Sequence, residues 1–486
     1  MKASVRILAL FGAVGAVACT EADVGPTPRP AGLEVVAGPN PTDTIEATPV
    51  QALVVEVRDS AGQVVAGTVV RFTSVPIDTL PGYGSMSVGQ AGSLYFGTFA
   101  ADTTGGRGRA VIRVQFGPVA GPGRILVVVP ELGYQRIVNF TVQPGRPAGL
   151  ILTPADSTLY PGASLQLHGR VVDRNNNGRT EPVAYSVAQS PLVSVSPGGG
   201  VTAGSAFGRA IVTAASGSFR DSSVVGVVPR GVFAAVDVAG SGGFAIGNLD
   251  GSGQRSFPLP GVLNYGLVDP AWAPDGSGVA FVDQFDRIAI LGADGAVSPL
   301  IPTAVPNLGV QFSPVFSPDG RTVYFSGGNL STGLRTIWRV GRDGSGARSI
   351  SQAFFGGDFS PSVEPAGQVA AFHTPEAMIR FLSLQDGRLV GTAVSGVFPE
   401  YSRTQDRLSL VTGEQVAIVN VDGSGFRIVT PPGRRYAQLV ASWAPNGDWL
   451  LVRGEAVLEL IQVDTGLRLP LAWSATLTHP AWKPGS

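Results

Sequence analysis

One phrase recurs six times in the second half of this 486-residue chain, and its spacing constrains the fold more than any other feature. Its first half is proline, a spacer, an aromatic residue, a spacer and proline. The copies are Pro270-Ala-Trp272-Ala-Pro274, Pro314-Val-Phe316-Ser-Pro318, Pro361-Ser-Val363-Glu-Pro365, Pro399-Glu-Tyr401, Ala441-Ser-Trp443-Ala-Pro445 and Pro480-Ala-Trp482-Lys-Pro484. Its second half is a tight turn between apolar runs, at Asp250-Gly251, Asp294-Gly295, Asp343-Gly344, Asp386-Gly387, Asp422-Gly423 and Asp464-Thr-Gly466. Both series step by about 36 to 49 residues, the period of a four-stranded propeller blade. The phase of the two series adds a further constraint: the first turn has no proline phrase before it, and the last phrase has no turn after it. Joining those ends makes a sixth whole blade, with residues 476–484 as the inner strand of a sheet whose other strands lie near 231–238, 243–249 and 253–260. Such closure removes the free edges that an open array would present to other chains.

The chain is too long for one ordinary core and suits about three domains. With 66 glycines, 38 prolines, 44% hydrophobic and only 14% charged residues, it suits an all-β fold of short strands and tight turns. A net charge of −1 provides no basic field for nucleic acid. Residues 1–19 form a targeting segment: Lys2 and Arg6, an apolar run from Ile7 to Val17, and Ala16-Val17-Ala18-Cys19 at its end. Cys19 is the only cysteine in the chain, so it has no internal disulfide partner. The segment resembles the signal peptide and lipobox of bacterial lipoproteins. That resemblance makes Cys19 the lipidated N-terminus, and Thr20 after it points to the outer membrane. The alternative is a plain secretory signal cleaved near Ala18. No later apolar run reaches the ~18 residues that a spanning helix needs.

Residues 20–30 are a proline-rich spacer. Arg29-Pro-Ala-Gly-Leu33 then opens a first module, 31–145, and Arg146-Pro-Ala-Gly-Leu150 opens a second, 146–229. Both alternate apolar and polar residues at strand period, with Gly, Asp and Asn turns, and each is expected to be a β-sandwich. Residues of low regularity, about 76–96, read as a long loop in the first. Leu152-Thr-Pro-Ala-Asp-Ser-Thr-Leu159, Pro161-Gly-Ala-Ser-Leu-Gln-Leu167, Val171-Val-Asp-Arg-Asn175 and Gly208-Arg-Ala-Ile-Val-Thr213 give the second module a resemblance to the immunoglobulin-like domains of intimin- and invasin-type surface proteins. The first module resembles such a domain more loosely, through Val54-Val-Glu-Val-Arg-Asp59-Ser-Ala-Gly62 and Val69-Val-Arg-Phe72, and in the second Tyr185 stands where that family usually has tryptophan. A tyrosine fills the same core if its hydroxyl finds a partner. Residues 230–486, through Trp272-Ala-Pro-Asp-Gly276, Phe316-Ser-Pro-Asp-Gly320 and Trp443-Ala-Pro-Asn-Gly447, resemble TolB-like and WD-type propellers. The α/β domain that precedes the TolB propeller has no counterpart here, so a role in the Tol system does not carry over.

No catalytic constellation is legible. The three histidines, His168, His373 and His479, stand alone in their segments, and no Gly-x-Ser-x-Gly or Cys-x-x-Cys occurs. Only Lys2 and Lys483 carry lysine, so a phosphate-binding loop is excluded. No cofactor is implied. Asp173, Asn175 and Asn177, with Gly178 and Glu181, resemble the front of a calcium loop, but Ala184 stands where the closing carboxylate belongs. The competing reading is a hairpin turn. The Asp-Gly pairs are turns, and the phrase aromatics are inter-blade packing. Where a repeat position changes character, Asp269, Glu364, Glu400 and Lys483 are charged, and they are candidates for the polar lining of a channel mouth, against the alternative of solvated loops. The reading that results is a non-catalytic, lipid-anchored outer-membrane protein, facing the periplasm or the outside, whose propeller binds an envelope protein or a glycan. The alternatives are a channel-sited hydrolase or lyase and an outer-membrane assembly factor.

Overall fold

The computed structural model describes residues 31–486, apart from 39–41, 50, 76–84, 189–190, 240–241, 260–268, 432, 434–435 and 437. The targeting segment, Cys19 and the spacer 20–30 lie outside the described residues. Strands and three short 3-10 turns make up the regular structure among the described residues. The chain divides into two compact units, 1–148 with 172–179, and 149–171 with 180–486.

The first unit is a two-sheet sandwich. One sheet orders Gly32–Ala37, Leu53–Arg58, Arg109–Phe116 and Met86–Gln90; the other orders Thr42–Thr44, Tyr134–Gln143, Gly121–Val129, Val69–Ser74 and Phe99–Thr103. Arg109–Phe116 and Gly121–Val129 alternate buried and part-exposed residues along their length, as strands with one face on a core must. That core holds Leu53, Val55, Phe72, Ile112, Phe116, Ile125 and Val127. Met86–Gln90, inside the segment read as a loop, is instead an edge strand paired with Arg109–Phe116. Alternating buried Met86 and Val88 carry it, a signal too short to stand out beside the irregular residues around it.

In the second unit, Asp156–Leu159, Phe219–Val227, Gly208–Ser216 and Ala184–Val187 form one sheet, and Ser164–Gln166, Gly200–Ala203 and Val193–Val195 another. Their shared core includes Leu152, Leu167, Val171, Val201, Val212 and Val225. Tyr185 packs on it, and its hydroxyl accepts the Gly169 N–H at 2.7 Å.

Six four-stranded antiparallel sheets follow. In chain order their inner strands are Ala271–Trp272, Leu308–Phe316, Phe359–Val363, Val397–Tyr401, Gln438–Trp443 and Leu477–Trp482, here the inner strands of blades one to six. The last pairs with Val232–Asp237, which continues to Gly243–Asn248 and Arg255–Pro258. The ring therefore closes with the C-terminal strand in the sheet begun just after residue 230. The second strands, such as Gly278–Val282 and Trp449–Arg453, are buried on both faces, because each blade is covered by two neighbours. In the turns, Asp250, Asp294, Asp343, Asp386 and Asp422 each accept the N–H two residues on, and the glycine after each holds φ between 72° and 87°. The pair is a turn by its own chemistry: the carboxylate replaces a backbone acceptor and glycine takes positive φ without a Cβ clash.

Candidate functional site

The proline phrase builds the axis of the wheel. An inner strand has no sheet neighbour on its axial side, so proline, which lacks an N–H, leaves no donor unpaired there. The residue just before the proline is distorted in the same way in four blades: Ser313, Ser360, Phe398 and His479 have φ of 45°, 46°, 52° and 46°. The sheet register slips at the same place, between Phe312 and Val315, Phe359 and Ser362, Val397 and Glu400, and Ala234 and Val236. Each is a bulge, and a bulge turns a side chain out of the ladder. Residues before proline favour extended backbone, so each left-handed one costs of order 1–3 kcal/mol.

A cavity of about 290 Å³ runs along this axis, lined from all six phrases. At the level where the inner strands begin lie Asp269, Ser313, Ser360 and Phe398. Ser313 Oγ donates to Asp269 Oδ2 at 2.6 Å and stands 3.2 Å from Ser360 Oγ. One level down, between proline and aromatic, lie Ser362, Glu400 and Ser442. Ser362 Oγ accepts the Tyr401 N–H and Ser442 Oγ the Trp482 N–H, both at 2.9 Å. Glu400 fills the same office between blades four and five, its carboxyl accepting from the Trp443 N–H and the Ser442 hydroxyl. It therefore ties blades together and borders the cavity at once. Ser402 and Arg403 stand at the far end.

Burial pushes the Glu400 carboxyl up to about 7; the Arg403 charge and its hydrogen bonds act against the shift, and Asp269 adds to it. Behind the wall, the Phe398 ring lies 4.7 Å from His373, whose ring stacks at 5.4 Å on Phe359. The Arg335 guanidinium covers Phe312 at 4.0 Å and Phe359 at 4.9 Å. Burial, reinforced by Arg335, pushes His373 down to about 4, so the ring is neutral at pH 7. Burial also pushes Asp358 up to about 7. His479 is buried beside Asp269, whose negative charge offsets part of the downward push that burial exerts on the ring.

Of the four charged residues singled out from the repeat, the cavity brings together Asp269 and Glu400. Glu364 and Lys483 do not line it. The position after the aromatic is where the chain leaves the axis: Glu364 N–H bonds Val369 O, closing the turn to the next strand, and Lys483 N–H bonds Val232 O at the end of the closing strand pair. Lys483 Nζ lies instead over the Trp272 ring, 5.3 Å from its centre. Ser313, Ser360 and Phe398 were not read as site residues from the sequence. The available signal was their shared place before a repeating proline. The phrase aromatics are buried between blades, with Trp272 Nε1 donating to Ala481 O at 3.1 Å and Trp443 Nε1 to Glu400 O at 2.9 Å.

The loop with calcium-like spacing uses its oxygens on its own unit. Asp173 accepts the N–H groups of Gly145, Asn175 and Asn177 at 2.7 to 3.0 Å, and the Asn177 side chain accepts the Ala120 N–H and donates to Pro118 O. These contacts hold Asp173 below the usual carboxylate range although burial opposes them. Among the described residues no three His, Cys, Asp or Glu side chains are grouped to hold a metal, and Glu181 joins no such group.

No family model matches the chain. Over 109 residues it is 32% identical to an uncharacterised protein of Agrobacterium fabrum, a match covering 22% of this chain and 35% of that protein. The chain thus spans about a third of that relative's length. Among solved structures, it is similar to a nidogen/laminin complex chain (12% identity, TM-score 0.41, 52% of this chain and 98% of that one). It is also similar to a structural-genomics protein of unknown function from Bacteroides thetaiotaomicron (10%, 0.34, 68% and 87%) and to an oligogalacturonate lyase in complex with manganese (15%, 0.31, 50% and 72%). All three TM-scores lie below 0.5, and the fold described above rests on the strand pairing of this chain itself.

Proposed function

We propose that this chain is a non-catalytic binding protein of the bacterial cell envelope, held to the outer membrane by a lipid on Cys19. Along the chain, two immunoglobulin-like sandwiches follow the anchor, and a TolB-like wheel takes the ligand in its axial cavity. The observation that carries this reading is the cavity itself: six inner strands converge on about 290 Å³ with Asp269 and Glu400 on its wall. Cavities of about this size with a few converging polar groups suit a small ligand or an inserted segment. The mouth is bulged at equivalent places in four blades, a repeated strain of the kind that clusters at binding sites.

Two measurements test the reading. The immobilised full chain is offered envelope extract, in parallel with Ala271→Trp, which fills the cavity without changing charge. Loss of a retained component in the variant, with melting unchanged, supports the cavity as the site; equal retention removes it. Labelled palmitate incorporated by the wild type and absent in Cys19→Ala tests the anchor.

A further inference from the structure

The face of the wheel on which the cavity opens beside Asp269 carries exposed apolar side chains. In an antiparallel blade, the turn from the second to the third strand returns to the end where the inner strand begins. Phe285, 62% exposed, sits on that turn in blade one, and Leu330, 72% exposed, on the same turn in blade two, with exposed Leu334 close by in sequence. Exposed Val310 lies three residues before Ser313 on the second inner strand. Gln311 N–H of blade two donates to Asp286 O of blade one at 2.8 Å, and within blade two Leu330 N–H donates to Asn307 O at 3.0 Å. The ring of Asp269, Ser313 and Ser360 stands on the same face, with Val310 on the strand that carries Ser313.

Charge is distributed unevenly along the axis. Asp269 stands at the patch end with one oxygen accepting from Ser313. Glu400 follows a level down, and Arg403 occupies the opposite end. A cation approaching from the patch meets the Asp269 carboxylate, the Phe398 ring and the Glu400 carboxyl before it meets the guanidinium, whereas an anion meets Asp269 first. From the far side the order is reversed.

We infer that the ligand of this face is a protein segment that inserts one lysine or arginine side chain into the axial cavity against Asp269 and lays flanking apolar residues on Phe285, Val310 and Leu330. This rests on the cavity being the ligand site and names what enters it. A narrow aliphatic stem with a terminal cation suits a channel lined by proline and aromatic side chains, since the stem contacts the apolar part of the wall while the charge reaches Asp269. A fully desolvated charge pair of this kind sets partner choice strongly, because the unpaired carboxylate is costly in any other complex. The apolar rim separates a protein segment from a free polyamine, which has no side chains to cover it.

The test is fluorescence anisotropy with the purified full chain and three labelled probes. They are a capped hexapeptide with one lysine between leucines, the same peptide with norleucine for lysine, and a chito-oligosaccharide. The expected result is binding of the lysine peptide, weakened at least tenfold by the norleucine exchange and by Asp269→Asn. Arg403→Gln changes it less than twofold, and Leu330→Ser weakens it severalfold. Equal binding of the two peptides, or indifference to Asp269→Asn, overturns the cation while leaving a peptide site. Binding of the oligosaccharide alone overturns the segment and leaves the cavity as a glycan site. Binding of no probe overturns the inference, and the Ala271→Trp retention experiment then decides the cavity reading separately.

Discussion

At the scale of single residues, Glu400 shows how one side chain serves both the scaffold and the site. Its neutral form is favoured in the fold, and its pKa rises from an ordinary 4.5 to about 7. The unfolded chain therefore releases this proton at lower pH than the folded one, and the cost to stability grows as pH rises from about 4.5 to about 7 and stays constant above. Glu400→Gln keeps an acceptor for the Trp443 N–H and cannot ionise. Relative to wild type, its melting temperature should improve between pH 5 and pH 8, by an amount corresponding to no more than about 3 kcal/mol once solvent screening is allowed for. A pH-independent difference would mean that the carboxyl is already solvated. His373 works in the opposite sense. Its pKa is lowered from 6.5 to about 4, so the fold favours the neutral ring and loses stability as pH falls from about 6.5 to about 4. His373→Phe keeps the stack between Phe359 and Phe398 and gives up an acceptor for the Phe398 N–H at 3.3 Å. It should be less stable at pH 7.5 and show a shallower acid decline, read from melts at four or five pH values. Neither residue's role was legible in the sequence. Asp269 and Glu400 stood out because a charge breaks a repeat of small residues, but the same argument selected Glu364 and Lys483. What separates them is one position along the phrase, the place where the chain turns off the axis, and that depends on backbone geometry rather than on residue type.

At the scale of elements, the phase of the two repeats placed the closing strand, because a sheet that lacks its inner strand and an inner strand that lacks its sheet can satisfy each other. The first module was harder to read for the opposite reason: with no repeat to compare against, the short run Met86–Gln90 gave too little alternation to separate it from its loop. Closure makes Trp482 the test of the ring. It is 2% exposed and belongs to a core shared by blades five and six, with Phe233, Leu451, Leu460 and Leu477. Its N–H also ties to Ser442 of blade five. Trp482→Ala removes a large apolar volume while leaving the backbone N–H on Ser442, and should cost about 3–5 kcal/mol in the wheel. Trp272→Ala, at an equivalent place whose indole donates to Ala481 O, should cost a similar amount. If Trp482→Ala instead proves nearly neutral in chemical denaturation while Trp272→Ala does not, the C-terminal strand is not holding the ring closed.

At the scale of the whole molecule, the second sandwich and the wheel form one unit rather than two beads on a chain. Tyr160 of the sandwich belongs to the same core as Phe233, Trp449 and Trp482 of the wheel, and Phe207 meets Trp449 edge-on at 5.5 Å. The Tyr160 hydroxyl donates to Gly231 O and accepts the Leu249 N–H, both at 2.9 Å, and so clamps the start of Val232–Asp237 to the end of its partner Gly243–Asn248. Trp473 of blade five stacks obliquely on Phe233 at 5.3 Å and donates to Thr158 Oγ1 at 3.0 Å. The sandwich thus braces the blade in which the ring closes and the neighbour that leads into it, where a wheel has most to lose by opening. If bracing and closure are coupled, sandwich and wheel unfold together, and calorimetry of the full chain should show one transition for residues 149–171 and 180–486 beside a separate one for the first unit. Tyr160→Phe removes one hydrogen bond from each of the Gly231 carbonyl and the Leu249 N–H, which stay bonded to each other at 3.0 Å, and should cost about 1 kcal/mol. It should lower the larger transition without splitting it and leave the other where it was. Separate sandwich and wheel peaks in the wild type would show that the shared core does not couple them. A lowered peak for the first unit in Tyr160→Phe would show that the substitution acts beyond this junction.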